Sequence, residues 1–181
     1  TILYGLARAG TGDARVCLPG THAKWARLSR GHLAGFRTMM TGEMFALLGE
    51  ASILRHTVGI SDWSDDDFAA AVAEAHAAPA DCLGRLFGLR AGPLLFGDAA
   101  PSGSARLSGL LIGAEIATGM AAGDEPLCLV ATGGMAERYA AALTALGIDF
   151  DRADAEDAVR NGLFAMAARI WSERELLETD A

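Results

Sequence analysis

The chain has little lysine, few cysteines and no long apolar run, and each shortage excludes a class of protein. Lys24 is the only lysine and the formal net charge is −8, so no basic patch could neutralise nucleic-acid phosphates. The three cysteines lack CxxC spacing, which indicates buried free thiols in a reducing compartment, and the histidines show no metal-ligand spacing. No apolar run has the length that spans a bilayer. We therefore expect a cytoplasmic protein with no nucleic-acid partner, no membrane partner and no metal-ligand cluster.

Apolar residues make up 51% of the 181 positions, enough to bury a sizeable core. Residues 14–41 are typical of three short strands, with residues 29–32 as the hairpin between the second and the third. Thr41 is predicted to cap a helix over residues 43–50, because apolar residues recur there at helical spacing. This beginning predicts a strand meander followed by a helix.

The middle of the chain is predicted to be helical. Residues 61–90 have Ser64 as a cap and a break at residues 79–81. Residues 97–104 are rich in Gly, Pro, Ala and Ser and indicate a surface loop. Residues 106–120 then form a strongly apolar helix in which Glu115 is the only acid.

From residue 126 onward the pattern is strand, turn, helix, strand, helix. Residues 127–131 are typical of a buried parallel strand, residues 132–134 are its turn, and residues 135–146 are a helix. Residues 148–150 are predicted as the next strand and residues 155–171 as a helix. The apolar face of that last helix comprises Val159, Leu163, Met166 and Ile170. Because this is a crossover unit, we expect an α/β protein with a mixed sheet flanked by helices.

The turn after the first strand holds several groups that could face a ligand. Gly20 and Thr21 would present backbone N–H groups and a hydroxyl to a phosphate, although an ordinary hairpin has the same composition. Lys24 can add a charge there or extend along the surface. His22 fits a packed, hydrogen-bonded role as well as a phosphate contact.

Two helix starts also have both a structural and a functional interpretation. The segment Thr41, Gly42 and Glu43 is a plain helix N-terminus, whose N–H groups would face an anion if a ligand binds there. The turn at residues 132–134 follows an apolar strand, as in many α/β proteins, and its glycines would let a nucleotide approach the backbone. The positions interpreted as helix packing are Ser108, Gly109, Glu115 and Gly162.

Four motifs, in this order and spacing, resemble the 2-dehydro-3-deoxygalactonokinase family. They are LPGTHAKW at residues 18–25, RTMMTGE at 37–43, LSGLLIGAE at 107–115 and ATGG at 131–134. The resemblance covers nearly all of this chain. The family's opening acidic motif and its Met-Arg-Gly-Glu-Glu segment are absent, so we expect the N-terminal domain of the family to be missing from this sequence.

The resemblance implies an actin-like ATPase domain of the ribonuclease H-like kind, with ATP and Mg²⁺ as cofactors. The implied reaction transfers the γ-phosphoryl group of ATP to the 6-hydroxyl of 2-dehydro-3-deoxy-D-galactonate. Residues 1–13 would end an N-terminal lobe or form an interdomain helix, and residues 14–181 would be the C-terminal domain. This piece alone is expected to be inactive, and the resemblance leaves a homodimer open.

The resemblance also assigns roles inside the C-terminal domain. The phosphate loop would be residues 16–28, the adenosine turn residues 127–146 and the closing helix residues 155–171. Phosphate contacts are implied for Gly20, Thr21, His22, Lys24, Thr41, Gly42 and Glu43, and adenosine contacts for Thr132, Gly133 and Gly134. The catalytic base is expected in the missing part and is assigned to no residue here.

Two other classes of function stay open. A non-catalytic module that senses a sugar or a nucleotide could have the same fold, although the lack of a helix-turn-helix argues against a DNA-binding version. A dinucleotide-dependent enzyme could use residues 132–134, but the chain lacks the G-x-G-x-x-G motif. The upstream sequence would test the first alternative, and binding of reduced nicotinamide would test the second.

Overall fold

Strands from the two ends of the chain meet in one five-stranded sheet. The computed structural model describes residues 12–58, 63–97, 101–121 and 123–179, with side chains described through residue 172. The strands are β1 (Ala14–Leu18), β2 (Ala23–Ser29), β3 (His32–Met39), β4 (Leu127–Val130) and β5 (Phe150–Ala153), in the order β3-β2-β1-β4-β5. The first three form an antiparallel meander, while β4 pairs parallel with both β1 and β5. The prediction of a mixed sheet is confirmed.

Helices flank the sheet, and most of them begin where local sequence signals place them. They are α1 (Thr41–Ala51), α2 (Asp65–Ala77), α3 (Cys82–Phe96), α4 (Gly103–Met120), α5 (Gly133–Ala145) and α6 (Ala155–Thr179). The Ser64 side chain accepts a hydrogen bond from the Asp67 N–H and caps α2, as predicted. The predicted break at residues 79–81 is a short 3₁₀ turn between α2 and α3.

Side chains of the central strands β1, β2 and β4 are buried on both faces of the sheet, whereas β3 is exposed along nearly all of its length. One face, with Cys17, Trp25 and Leu129, packs against a layer formed by α2, α4 and α5. The opposite face, with Val16 and Val130 among others, packs against the beginning of α6. The sheet is therefore the middle layer of three, and the ends of β1 and β4 open at the same edge of it.

Two predicted boundaries are wrong because short-range hydrogen bonds move the start of each element. Helix α4 begins at Gly103 rather than at residue 106, since the Ser102 side chain accepts a hydrogen bond from the Ala105 N–H at 3.4 Å. Strand β5 begins at Phe150 rather than at Ile148. The Ile148 N–H instead donates to the Leu143 carbonyl at 3.0 Å and closes the end of α5.

The last helix differs most from its prediction. It extends past residue 171 to Thr179. Of its predicted apolar face, Val159 is partly buried, whereas Leu163, Met166 and Ile170 are exposed. The residues that it does bury are small ones, Ala158 and Gly162. The apolar face is therefore present along the helix but has no partner among the side chains described through residue 172.

The predicted N-terminal segment, residues 1–13, lies outside the described residues except for its last two positions. Within the part of the chain that the structure covers, each helix is too short or too polar to cross a bilayer.

Candidate functional site

The loop between β1 and β2 lies directly against the start of α1. The Glu43 N–H donates a hydrogen bond to the Thr21 carbonyl at 3.0 Å. A Cβ atom on Gly42 would lie 2.6 Å from the Gly20 carbonyl oxygen and 2.8 Å from the Thr21 Cα, so only glycine allows this contact. Two segments that the sequence nominated separately therefore form one structural unit.

Polar side chains on the exposed side of this unit hold the loop against α1. The His22 Nε2 and Glu43 Oε2 atoms lie 2.5 Å apart and join the loop to α1. The Lys24 ammonium donates to the His22 carbonyl at 2.7 Å. The Glu43 N–H and the side chains of His22, Lys24 and Glu43 therefore have partners within the protein. These interactions hold the loop in its conformation.

A cavity of about 480 Å³ opens beside the loop, within the size range of small-molecule sites. Its walls come from the β1–β2 loop, α1, α4 and α5. The residues that line it are Gly20, Thr21, Thr41, Gly42, Phe45, Ser108, Leu111, Ile112, Met135, Arg138 and Tyr139. Four of the seven predicted phosphate-binding residues line this cavity, whereas His22, Lys24 and Glu43 are not among its lining residues.

The predicted adenosine turn lies at the start of α5. Gly133 has a φ angle of +60°, a backbone conformation that glycine adopts without strain. Thr132 and Gly133 line a different cavity of about 280 Å³, together with Arg152 and Asp154, and Gly134 lines neither cavity. Met135, the residue that follows Gly134 in α5, lines the larger cavity. The turn is therefore next to the larger cavity rather than inside it.

A buried carboxylate lies behind the cavity wall. Glu115 of α4 is only 4% exposed. It accepts hydrogen bonds from the Trp25 Nε1 atom at 2.8 Å and from the Tyr139 hydroxyl at 3.0 Å, and the Thr41 hydroxyl also favours its charged form. Burial raises the pKa of the Glu115 carboxyl, and the interactions with these three side chains oppose that shift. Burial and the neighbouring Glu115 raise the pKa of Tyr139, so its hydroxyl keeps the proton that it donates.

The start of α1 differs from the prediction made from the sequence. Thr41 was expected to cap α1, but it is the first residue of the helix, and Met40 occupies the cap position without a side-chain hydrogen bond. The Met44 N–H, which a Thr41 cap would bond, donates instead to the Met40 carbonyl at 2.7 Å, and the Glu43 N–H donates to the Thr21 carbonyl. From the sequence, Glu115 was interpreted as a packing position. The available signal for its role as a buried acceptor was that it is the only acid of an apolar helix.

Sequence reasoning also missed Arg138, a half-buried residue of α5 that lines the cavity. Its guanidinium carbon lies 4.3 Å from the centroid of the Trp63 ring. Nothing in the local sequence distinguishes this arginine from the other arginines of the chain. Only the packing of α5 against the segment before α2 brings the two residues together.

A mixed sheet between helices, with a cavity at the edge where β1 and β4 end, defines an α/β protein with a kinase-like fold. A sequence model described as 2-keto-3-deoxy-galactonokinase matches residues 1–166. The chain belongs to this family.

The names of two relatives agree with that assignment. The chain is 42% identical over 175 residues to a protein of Rhizobium meliloti (strain 1021) named as a probable 2-dehydro-3-deoxygalactonokinase, DgoK1, and the match covers 94% of this chain and 57% of that protein. It is 34% identical over 163 residues to the 2-dehydro-3-deoxygalactonokinase of Escherichia coli (strain K12), with 89% of this chain and 56% of that protein covered.

A crystal structure assigned to a 2-dehydro-3-deoxygalactonokinase from Sinorhizobium meliloti has the same fold. It superposes with a TM-score of 0.87 at 41% identity, over 94% of this chain and 58% of that one. The chain thus spans a little over half the length of the relatives that it matches.

Proposed function

We propose that this chain is the ATP-binding part of a cytoplasmic sugar-acid kinase. The complete enzyme would transfer the γ-phosphoryl group of ATP to the 6-hydroxyl of 2-dehydro-3-deoxy-D-galactonate, in the catabolism of galactonate. Membership of the family and the names of the two relatives support this activity. The alternative is a non-catalytic module of the same fold that senses a sugar or a nucleotide.

We further propose that the fold is of the actin-like ATPase, ribonuclease H-like kind. A meander of three antiparallel strands continued by two parallel strands, with helices on both faces, supports this assignment. Residues 14–181 would form the C-terminal domain, and residues 1–13 would lead out of an N-terminal lobe. Homodimers are compatible with this arrangement.

One observation carries the proposal: the β1–β2 loop and the start of α1 close together over a cavity large enough for a small molecule. Gly20, Thr21 and Gly42 would contact phosphate oxygens through backbone N–H groups and the Thr21 hydroxyl. His22, Lys24 and Glu43 would hold the loop in shape and act on the phosphates from outside the cavity. Thr41, which also lines the cavity, would contact the ligand through its hydroxyl oxygen.

The turn Thr132, Gly133 and Gly134 would lie beside the adenosine group, since Met135 of the same helix lines the cavity. In the described ranges no three potential metal-binding side chains cluster. The cavity lining offers hydroxyl oxygens from Thr21, Thr41 and Ser108, which suit Mg²⁺ held by ATP phosphates and water molecules. When bound, Mg²⁺ supplies charge neutralisation at the transferred phosphoryl group.

The test is ADP release by the full-length gene product with Mg-ATP. Its substrates are 2-dehydro-3-deoxy-D-galactonate and the epimer derived from gluconate. We expect turnover with the galactonate compound and a loss of at least about tenfold in Thr21→Ala, because a hydrogen bond to a charged group is removed. Thr118→Ala is the matched control, since Thr118 bonds to the Ala114 carbonyl of its own helix and lies outside the cavity.

The possible results separate the two candidate functions. Turnover that falls in Thr21→Ala but not in Thr118→Ala would support the kinase and its phosphate loop. ATP binding without turnover would instead favour the sensing module. Turnover that is equal in all three proteins would contradict the assignment of the loop.

A further inference from the structure

A positively charged residue that the sequence did not nominate lines the cavity. Among the cavity-lining residues that the structure describes, Arg138 is the one with a charged side chain. Lys24, the cation nominated from the sequence, is not among the lining residues and donates to the His22 carbonyl. An anionic ligand in this cavity would therefore meet the Arg138 guanidinium rather than the Lys24 ammonium.

Arg138 is held in place by an aromatic side chain. Its guanidinium lies over the Trp63 ring, with 4.3 Å from its central carbon to the ring centroid. The Trp63 Nε1 atom donates to the Asp65 carboxylate at 2.7 Å, and the Trp63 ring lies 5.4 Å from the buried ring of Phe68. These two contacts hold the Trp63 indole in place beneath the Arg138 guanidinium.

This arrangement leaves the hydrogen-bond donors of Arg138 available. The donors of a guanidinium lie in its plane, so an aromatic ring above that plane does not occupy them. In the described part of the chain, no carboxylate forms an ion pair with Arg138. Six other arginines there do have one, such as Arg152 with Glu137 and Arg160 with Asp157.

We propose that Arg138 binds a phosphate group of the nucleotide in this cavity and that Trp63 positions its guanidinium for this contact. The inference rests on the proposed function, because it names the side chain that recognises the polyphosphate. Arg138 on α5 faces the cavity from the wall that adjoins the adenosine turn, while Gly20 and Thr21 face it from the β1–β2 loop. A phosphate chain between these walls would have backbone donors on one side and a fixed cation on the other.

Binding measurements on the full-length protein can separate a phosphate contact from a contact with the base. We would titrate ADP, pyrophosphate and adenosine by calorimetry into the wild type, Arg138→Gln, Arg138→Lys and Trp63→Leu. We expect Arg138→Gln to weaken ADP and pyrophosphate by about ten- to a hundredfold and to leave adenosine unchanged, as for a lost charged hydrogen bond. Arg138→Lys should recover part of the loss. Arg160→Gln, on the exposed face of α6, is the control and should bind like the wild type.

The role of Trp63 has a separate readout. Trp63→Leu should weaken ADP less than Arg138→Gln does. The double variant should bind no more weakly than Arg138→Gln alone, because Trp63 acts through the arginine. Losses that multiply in the double variant would show that Trp63 only supports the fold, and would overturn its positioning role.

The remaining outcomes distinguish this inference from the proposed function. Unchanged ADP affinity in Arg138→Gln, or equal losses for ADP and adenosine, would overturn the phosphate contact while leaving the kinase assignment intact. A wild type that turns over no substrate and binds neither ADP nor pyrophosphate would overturn both. If Arg138→Gln fails to fold, a selective loss of pyrophosphate affinity in Arg138→Lys decides the question.

Discussion

Glu115 contacts side chains from three different elements of the fold next to the cavity. Its carboxylate accepts hydrogen bonds from Trp25 of β2 and Tyr139 of α5 and interacts with the Thr41 hydroxyl of α1, and so links the strand meander to both helices beside the cavity. A carboxylate suits this position because it accepts several hydrogen bonds at once, and all three neighbours can donate. The cost of burying its charge appears as a raised pKa.

We predict that Glu115 makes the stability of the protein depend on pH in a specific direction. Its native pKa is raised above the ordinary value of 4.5, so in the range just above that value the native state holds the proton more tightly than the unfolded state does. The free energy of unfolding should therefore fall as pH rises through this range. In Glu115→Gln this contribution is absent.

Urea unfolding of both proteins at a series of pH values measures the effect. The stability of Glu115→Gln relative to the wild type should increase from acid to neutral pH. All other carboxyl groups are common to the two proteins and cancel in that difference. Parallel pH profiles would mean that the pKa of Glu115 is the same in the native and unfolded states.

Among the helices, the close crossing of α2 and α4 depends on glycine. A Cβ atom on Gly109 would lie 2.5 Å from the Phe68 carbonyl oxygen and 2.7 Å from the Ala71 Cβ, and one on Gly113 would lie 2.3 Å from the Val72 carbonyl oxygen. These distances are shorter than any real contact, so the backbones approach closely only because these positions have no side chain. The interpretation of Gly109 as a packing position is confirmed.

We predict opposite effects for two identical substitutions in neighbouring helices. Gly109→Ala should lower the free energy of unfolding by about 1–3 kcal/mol, because the helices must move apart. Gly84→Ala in α3 should raise it by up to about 1 kcal/mol, because alanine favours the helix and its Cβ would meet nothing within 4 Å. Chemical denaturation measures both. Equal effects would show that helix propensity, and not the crossing, decides the outcome.

At the level of the whole molecule, the apolar surface is unevenly covered. Large apolar side chains are exposed along α3, where Leu83 is 79% exposed, and along α6, where Phe164 is 75% exposed. Soluble monomers rarely expose contiguous apolar patches of this kind. The match covers 57% and 56% of the two relatives, so they have additional polypeptide that could cover such a face.

We therefore predict that the 181-residue chain self-associates or is poorly soluble when it is produced alone. Sedimentation velocity should show a weight-average sedimentation coefficient that rises with protein concentration. The paired variants Leu83→Gln with Phe87→Gln, and Leu163→Gln with Phe164→Gln, test the two faces separately. A monodisperse monomer at high concentration would contradict the prediction.

Local sequence signals determined most of the elements. The strand meander, the Ser64 cap, the break at residues 79–81 and the crossover through α5 follow from alternation, capping and turn chemistry, which act within a few residues. The errors at Thr41 and Ile148 arose where another group competed for the same hydrogen bond. For Thr41 that group is the Met40 carbonyl, which accepts from the Met44 N–H, and for Ile148 it is the Leu143 carbonyl at the end of α5.

By itself, the sequence determined the class of fold and the segments that meet at the cavity. The glycines and hydroxyls of residues 20–21 and 41–42 stand out by composition, and the structure places all four in the cavity lining. Only the tertiary structure showed Arg138 over Trp63 and Glu115 beneath Thr41, and it separated Lys24 from the cavity. Trp25 and Glu115 are 90 residues apart in the chain. Which distant side chains meet is decided by how the helices pack on the sheet, and no local pattern of residues contains that information.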